Sequence, residues 1–171
     1  MIERSYKTIG LKDLEKLRDL TNNEMESFFQ RNPKYLPFKD RHIATTLCQG
    51  AALHYVNKKN GIKDFDVWFF YAEHSKLTYP YRALKKVDSK LVKFGRSSRD
   101  IAWSFEGRRV DLMGREIDSD IIKSNNHDPI TCIREYLTRS RTESATKLAE
   151  KAVVGLHPNN ILGKVIWPIS R

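Results

Sequence analysis

The chain has 171 residues, 40% of them apolar and 30% charged, the balance of one globular domain with room for a core and too apolar for general disorder. Its longest apolar stretch, Val67 to Ala72, is far short of the roughly 20 residues that span a bilayer, which excludes a transmembrane helix. Lys and Arg outnumber Asp and Glu by 31 to 21, a net charge of +10, and residues 72–115 carry +6 of it.

A local excess of that size favours a polyanionic partner, a nucleoside triphosphate, RNA or DNA, against the plainer reading of a solvated loop. Cys48 and Cys132 are too few for a disulfide framework and lack metal-ligand spacing, so both read as buried thiols. The opening MIERSYKTIG lacks the basic-then-apolar layout of a secretion signal, and the expected location is cytoplasmic, with no membrane role.

In chain order, Leu11, Leu14, Leu17, Leu20, Met25 and Phe28 form a helical stripe over 10–30, with a break expected near Thr21-Asn22-Asn23. Asn32-Pro33 and Leu36-Pro37 predict an extended connector, because proline disfavours helix in the residue before it. Ile43 to Cys48 reads as a strand and Ala51 to Lys59 as a helix stopped by Asn60-Gly61. Asp64 to Tyr71, dense in Val, Trp, Phe and Tyr, is a second strand.

Ala72 to Arg99 is basic, aromatic and irregular, and reads as a functional loop. Ile101–Phe105 and Arg109–Met113 predict a hairpin around Glu106-Gly107. Asp128-Pro129 opens a helix with Ile130, Ile133 and Leu137 inward. Ser144 to Val154 reads as another, with Ala152 and Val153 inward and Gly155 as its stop. The expected organisation is a single domain over 1–171, with its core at 43–115 and a helical C-terminal part at 127–156.

Side chains alternate along a strand, so Asp64 and Asp66 share a face about 7 Å apart. Two carboxylates that close repel unless a proton or cation lies between them. Mg²⁺ suits the position, since it takes carboxylates together with substrate phosphates. A pair of exposed strand carboxylates is the alternative. Val110-Asp111-Leu112 adds a third carboxylate between apolar neighbours, where an unpaired charge is expensive. Three such groups facing one spot would form a two-metal site. Upstream, Leu47-Cys48-Gln49-Gly50-Ala51-Ala52-Leu53 is a strand-to-helix turn whose glycine admits a phosphate.

The run LCQGAALHYVNKKNGIKDFDVWFF, followed by RRVDLMGR, resembles the nucleotidyltransferase superfamily. Its members carry a Gly-Gly or Gly-Ser turn, a helix, a strand with Asp-x-Asp and a third carboxylate on a later strand. Gln49-Gly50-Ala51-Ala52-Leu53 is most similar to the Gly-Gly-Thr-Ala-Leu turn of abortive-infection toxin nucleotidyltransferases. Gln49 stands where the family has its first Gly, and no Ser follows Gly50.

The resemblance spans about Ile43 to Arg115. It implies an α+β fold, a nucleotidyltransferase-like mixed β-sheet flanked by helices. It also implies metal ligands at Asp64 and Asp66, a third ligand or base at Asp111, and phosphate contact at Gly50 with its neighbours Gln49 and Ala51.

Lys63 and Arg109 are further phosphate candidates, Arg109 because it alternates to the Asp111 face. Lys58 and Lys59 flank the same place, or simply solvate a helix end. Tyr79, Tyr81 and Trp103 are base-stacking or core aromatics. His54 and His74 lack ligand partners at motif spacing and read as structural or surface residues.

The expected activity is transfer of a nucleotide from a nucleoside triphosphate to a hydroxyl on RNA, protein or a small molecule, with Mg²⁺ or Mn²⁺. The alternative is an inactive nucleotidyltransferase-like module that binds nucleic acid or a protein partner. The basic segment Lys76 to Arg99, with Lys85-Lys86 and Arg96 to Arg99, would hold the polyanionic acceptor, or is a solubilising insertion. A toxin–antitoxin setting and a protein partner follow only from the resemblance.

Overall fold

The computed structural model describes residues 8–59, 61–80, 92–94 and 108–169. In chain order the elements are α1 (Leu11–Arg31), a 3-10 helix (Pro33–Arg41), β1 (His42–Cys48), α2 (Gln49–Asn57), β2 (Phe65–Ala72), β3 (Val92–Phe94) and β4 (Arg108–Ile117). They continue with α3 (Ser119–Ser124), α4 (Pro129–Arg139), α5 (Glu143–Ala149), β5 (Val153–His157), a short 3-10 turn (Asn159–Ile161) and β6 (Val165–Trp167). The fold is mixed α+β, with the described strands forming a six-stranded sheet in the order β3-β4-β2-β1-β5-β6.

The neighbours β2 and β4 are parallel, and the other pairs are antiparallel. Alternation along the strands divides the core into two. Phe65, Val67, Phe69 and Tyr71 of β2, with Val110 and Leu112 of β4, face Leu14, Leu17, Phe28 and Phe29 of α1. Trp68, Phe70, Met113 and Ile117 face the other way, onto Ile133, Tyr136 and Leu137 of α4 and Ala145 and Leu148 of α5. Helices therefore cover both faces, which is what strands apolar on both sides require.

Several expectations change here. α1 runs unbroken through Thr21-Asn22-Asn23, and the buried Thr21 satisfies its hydroxyl inside the helix by donating back to the Leu17 carbonyl at 2.9 Å. The connector after it is a 3-10 helix, not extended chain, with Pro33 at its first position, where a missing N–H costs nothing.

The helix expected over 144–154 ends at Ala149, and Val153–His157 is a strand between β1 and β6. The C-terminal part is therefore not all helical. The β-branched pair Val153-Val154 and the close approach at Gly155 explain the switch. A Cβ on Gly155 would lie 2.2 Å from the Ile161 carbonyl oxygen.

α4 starts as its sequence indicates: the Asp128 side chain accepts from the Thr131 N–H at 2.9 Å, with Pro129 in the first turn. Both cysteines are buried thiols. The hairpin strand expected at 101–105, its turn at Glu106-Gly107, Tyr81, Trp103, Lys85-Lys86 and Arg96 to Arg99 lie outside the described residues. Within them, β4 takes β3 as its antiparallel neighbour.

Tyr79 is a core anchor. Its ring stacks on Tyr71 at 4.5 Å and meets Phe28 and Phe38 at 5.5 Å. It lies so close over Gly114 that a Cβ there would overlap the ring, at 2.0 Å. No helix among the described residues is long and apolar enough to cross a membrane.

Candidate active site

β2 and β4 run parallel with Asp66 directly opposite Asp111. Neighbouring strands lie about 4.8 Å apart, so the two side chains leave one face side by side. Asp111 is only 4% exposed and Asp66 is half-buried. Cys48 of β1 is the partner of Asp66 on its other side, which completes a row of Cys48, Asp66 and Asp111 across three strands. Burial pushes the Cys48 thiol well up, the Thr46 hydroxyl at 3.2 Å opposes this, and the charge of Asp66 adds to it. Cys48 thus stays a neutral thiol beside the acidic pair.

Asp64 immediately precedes β2 and forms an ion pair with Arg109 at 3.3 Å. The register that sets Asp66 against Asp111 sets Asp64 against Arg109, two residues earlier on each strand. The structure brings together Asp66 and Asp111, and it engages the third predicted carboxylate with a guanidinium. Among the described residues no three His, Cys, Asp or Glu side chains form a metal-holding group.

Asp66 also lines a cavity of about 590 Å³. Its floor continues along the strands through Trp68, Met113 and Arg115, Gln49 forms one rim, and Glu143, Ser144 and Lys147 of α5 form the other. Two carboxylates, Asp66 and Glu143, and two cations, Arg115 and Lys147, line it. Lys147 pairs with Glu143 at 3.2 Å, one turn away. Both partners are largely exposed, so this pair holds Lys147 only weakly.

The predicted phosphate turn is only partly at this cavity. Gln49 is on its rim with φ of 57°, a left-handed backbone that costs a non-glycine residue about 1–3 kcal/mol. Gly50 has open space where a Cβ would stand. Ala51 is turned into the core beneath α1, and Lys63 is exposed, its carbonyl accepting from Arg108 at 3.4 Å.

Lys58 serves the fold, donating to the Ile9 carbonyl at 3.1 Å and lying over the Tyr55 ring. The buried His54 accepts from the Ile9 N–H. Sequence reading missed Ser144 and Lys147. Their spacing of three, one helical face, was the signal available, but it marks no motif.

The donor set fits a hard divalent cation. Two carboxylates from adjacent strands offer oxygens only, and the cavity that Asp66 lines is roomy enough for phosphate oxygens to complete the shell. Neither family models, nor characterised proteins, nor solved structures match this chain.

Proposed function

We propose that the protein is a metal-dependent nucleotidyltransferase that moves a nucleotide from a nucleoside triphosphate to a hydroxyl acceptor. The observation that carries this reading is the in-register Asp66–Asp111 pair, with Asp66 lining a cavity that Arg115 and Lys147 also line. The paired carboxylates suit a cation, and the lining cations suit the phosphates that it brings.

When bound, Mg²⁺ or Mn²⁺ neutralises phosphate charge and eases deprotonation of the acceptor hydroxyl. Asp66 and Asp111 hold it, and the nearly buried Asp111 is the base that takes the hydroxyl proton. The acceptor oxygen bonds to the α-phosphorus, the bridging bond to the β-phosphate breaks, and pyrophosphate leaves. Lys147 and Arg115 orient the phosphate chain. The net +6 over residues 72–115 supports a polyanionic acceptor, RNA before a small molecule.

Two observations favour a binding module without chemistry: Asp64 is engaged by Arg109, and Gln49 stands where the resembled turn has its first glycine. Incubation with Mg²⁺ and each labelled ribonucleoside triphosphate, with total RNA as acceptor, separates the two readings. Pyrophosphate release with label on the acceptor supports transfer. Triphosphate binding without release supports the module.

A further inference from the structure

At the end of the sheet remote from the acidic pair, Arg41 precedes β1 and His42 pairs with Tyr71, whereas Cys48 at the other end of β1 pairs with Asp66. Ala72 is six residues beyond Asp66 on β2, about 20 Å along the strand. Two cavities of about 590 Å³ each lie at this end. Arg41, Ala72 and His127 line both, so the two adjoin, and His74 and Lys123 line one of them.

The cavity with His74 and Lys123 is rich in donors. The Arg41 guanidinium donates to the Glu73 carbonyl at 2.8 Å, which leaves its other N–H groups for a ligand. The Glu73 carboxylate does not answer it, accepting instead from the Ser119 N–H at 2.8 Å and from the Ser119 hydroxyl. Neither Arg41 nor Lys123 forms an ion pair with any described residue. The Nδ1 atom of His74 accepts from the Lys76 and Leu77 N–H groups at 3.0 and 3.1 Å, so its ring hydrogen is on Nε2. Lys123 and His127 come from one turn at the end of α3, closed by the His127 N–H donating to the Ile122 carbonyl at 3.0 Å.

Two cations without a carboxylate partner, with imidazole donors beside them, suit an anion that offers several oxygens. Asp40 lines only the adjoining cavity, so the anion belongs with Lys123 and His74. The continuation into a second cavity favours a strand over a free ion, and the net charge of +10 favours a nucleic acid. We propose that this cavity binds a backbone phosphate of a single-stranded RNA whose chain continues through the adjoining cavity. The choice of RNA rests on the nucleotidyltransferase reading above, for which this is an anchor of the acceptor strand. The binding itself needs neither Asp66 nor a metal.

Fluorescence anisotropy with a short labelled single-stranded RNA in EDTA, over a range of salt, tests this. Wild type is compared with Lys123→Ser, His127→Gly, the double variant and Asp66→Asn. Glycine adopts the left-handed backbone of His127, with φ of 61°, without strain, so removal of the imidazole leaves the turn intact. The double variant is expected to bind about tenfold more weakly, and Lys123→Ser to lower the salt slope by about 1. Asp66→Asn should bind as wild type does. Inorganic phosphate, followed through the ring signals of His74 and His127 by nuclear magnetic resonance, is the second probe and should move both.

Wild-type affinity and salt slope in the double variant overturn the proposal. If the ring signals still move with phosphate in that case, the cavity takes a small phosphate and not RNA. A loss in Asp66→Asn equal to that of the double variant also overturns it, since the strand would then lie at the acidic pair. No RNA binding in wild type overturns it too, and leaves transfer to another acceptor standing. Triphosphate binding, titrated separately with Mg²⁺, decides the nucleotidyltransferase reading without bearing on this cavity.

Discussion

Arg109 holds Asp64 at 3.3 Å, two residues before the place where Asp66 and Asp111 stand side by side. The pair is partly solvated, with side-chain exposures of 48% and 23%, so it contributes no more than about 1 kcal/mol to stability. Its consequence is electrostatic: it neutralises a carboxylate two residues from Asp66.

Arg109→Ala is expected to leave the melting temperature within a few degrees of wild type while tightening Mn²⁺ binding severalfold in the absence of nucleotide, because Asp64 is released. Affinity for the Mg²⁺–triphosphate complex falls in the same variant, as a phosphate-binding cation is lost. Titration of Mn²⁺ followed by its electron paramagnetic resonance signal measures the first effect. Weaker Mn²⁺ binding would show that Arg109 supports the site rather than restraining it.

His42 gives the fold a pH dependence. Burial, then the neighbouring His157 ring at 5.5 Å, lowers its pKa to about 4, and burial followed by Arg18 lowers His157 as well. The unfolded chain takes up a proton near pH 6.5 and the native state does not until about pH 4. Stability is therefore full above the unfolded value and declines as pH falls through the window from 6.5 to 4. The loss from His42 reaches about 3 kcal/mol at the bottom of that window. Urea unfolding at pH 7 and pH 4.5 should show it, and His42→Gln should flatten the difference.

Gly155→Ala tests the least expected strand. The new Cβ would stand 2.2 Å from a backbone oxygen of Ile161, an atom that cannot rotate away, and a loss of roughly 2–3 kcal/mol follows. A chemical denaturation midpoint equal to that of wild type would mean that β5 and the Asn159–Ile161 turn pack less tightly than described.

The acidic pair was legible because each Asp interrupts an apolar strand, and alternation then fixes its face. The register that sets Asp66 against Asp111 was not legible, since parallel strands joined by a long connection carry no local signal of their alignment. Nor was the role of Asp64, which depends on that same register bringing Arg109 opposite. β5 was hidden for a different reason. Val153, Val154 and Leu156 are buried toward both cores, so they show no alternation, and they continue the helical spacing of Ala145, Leu148 and Ala149. The approach of α5 to the Asp66 cavity is a matter of tertiary packing alone.

Calorimetric titration of Mg²⁺ and a ribonucleoside triphosphate, together and separately, into wild type, Asp66→Asn, Asp111→Asn and the remote Asp40→Asn bears most directly on the Asp66–Asp111 pair. The expected result is weak Mg²⁺ binding alone and strong mutual enhancement with triphosphate in wild type and Asp40→Asn, with the enhancement abolished in Asp66→Asn and Asp111→Asn alike. Enhancement that survives in both of those variants would put the cation elsewhere, and the paired carboxylates would then have no part in holding it.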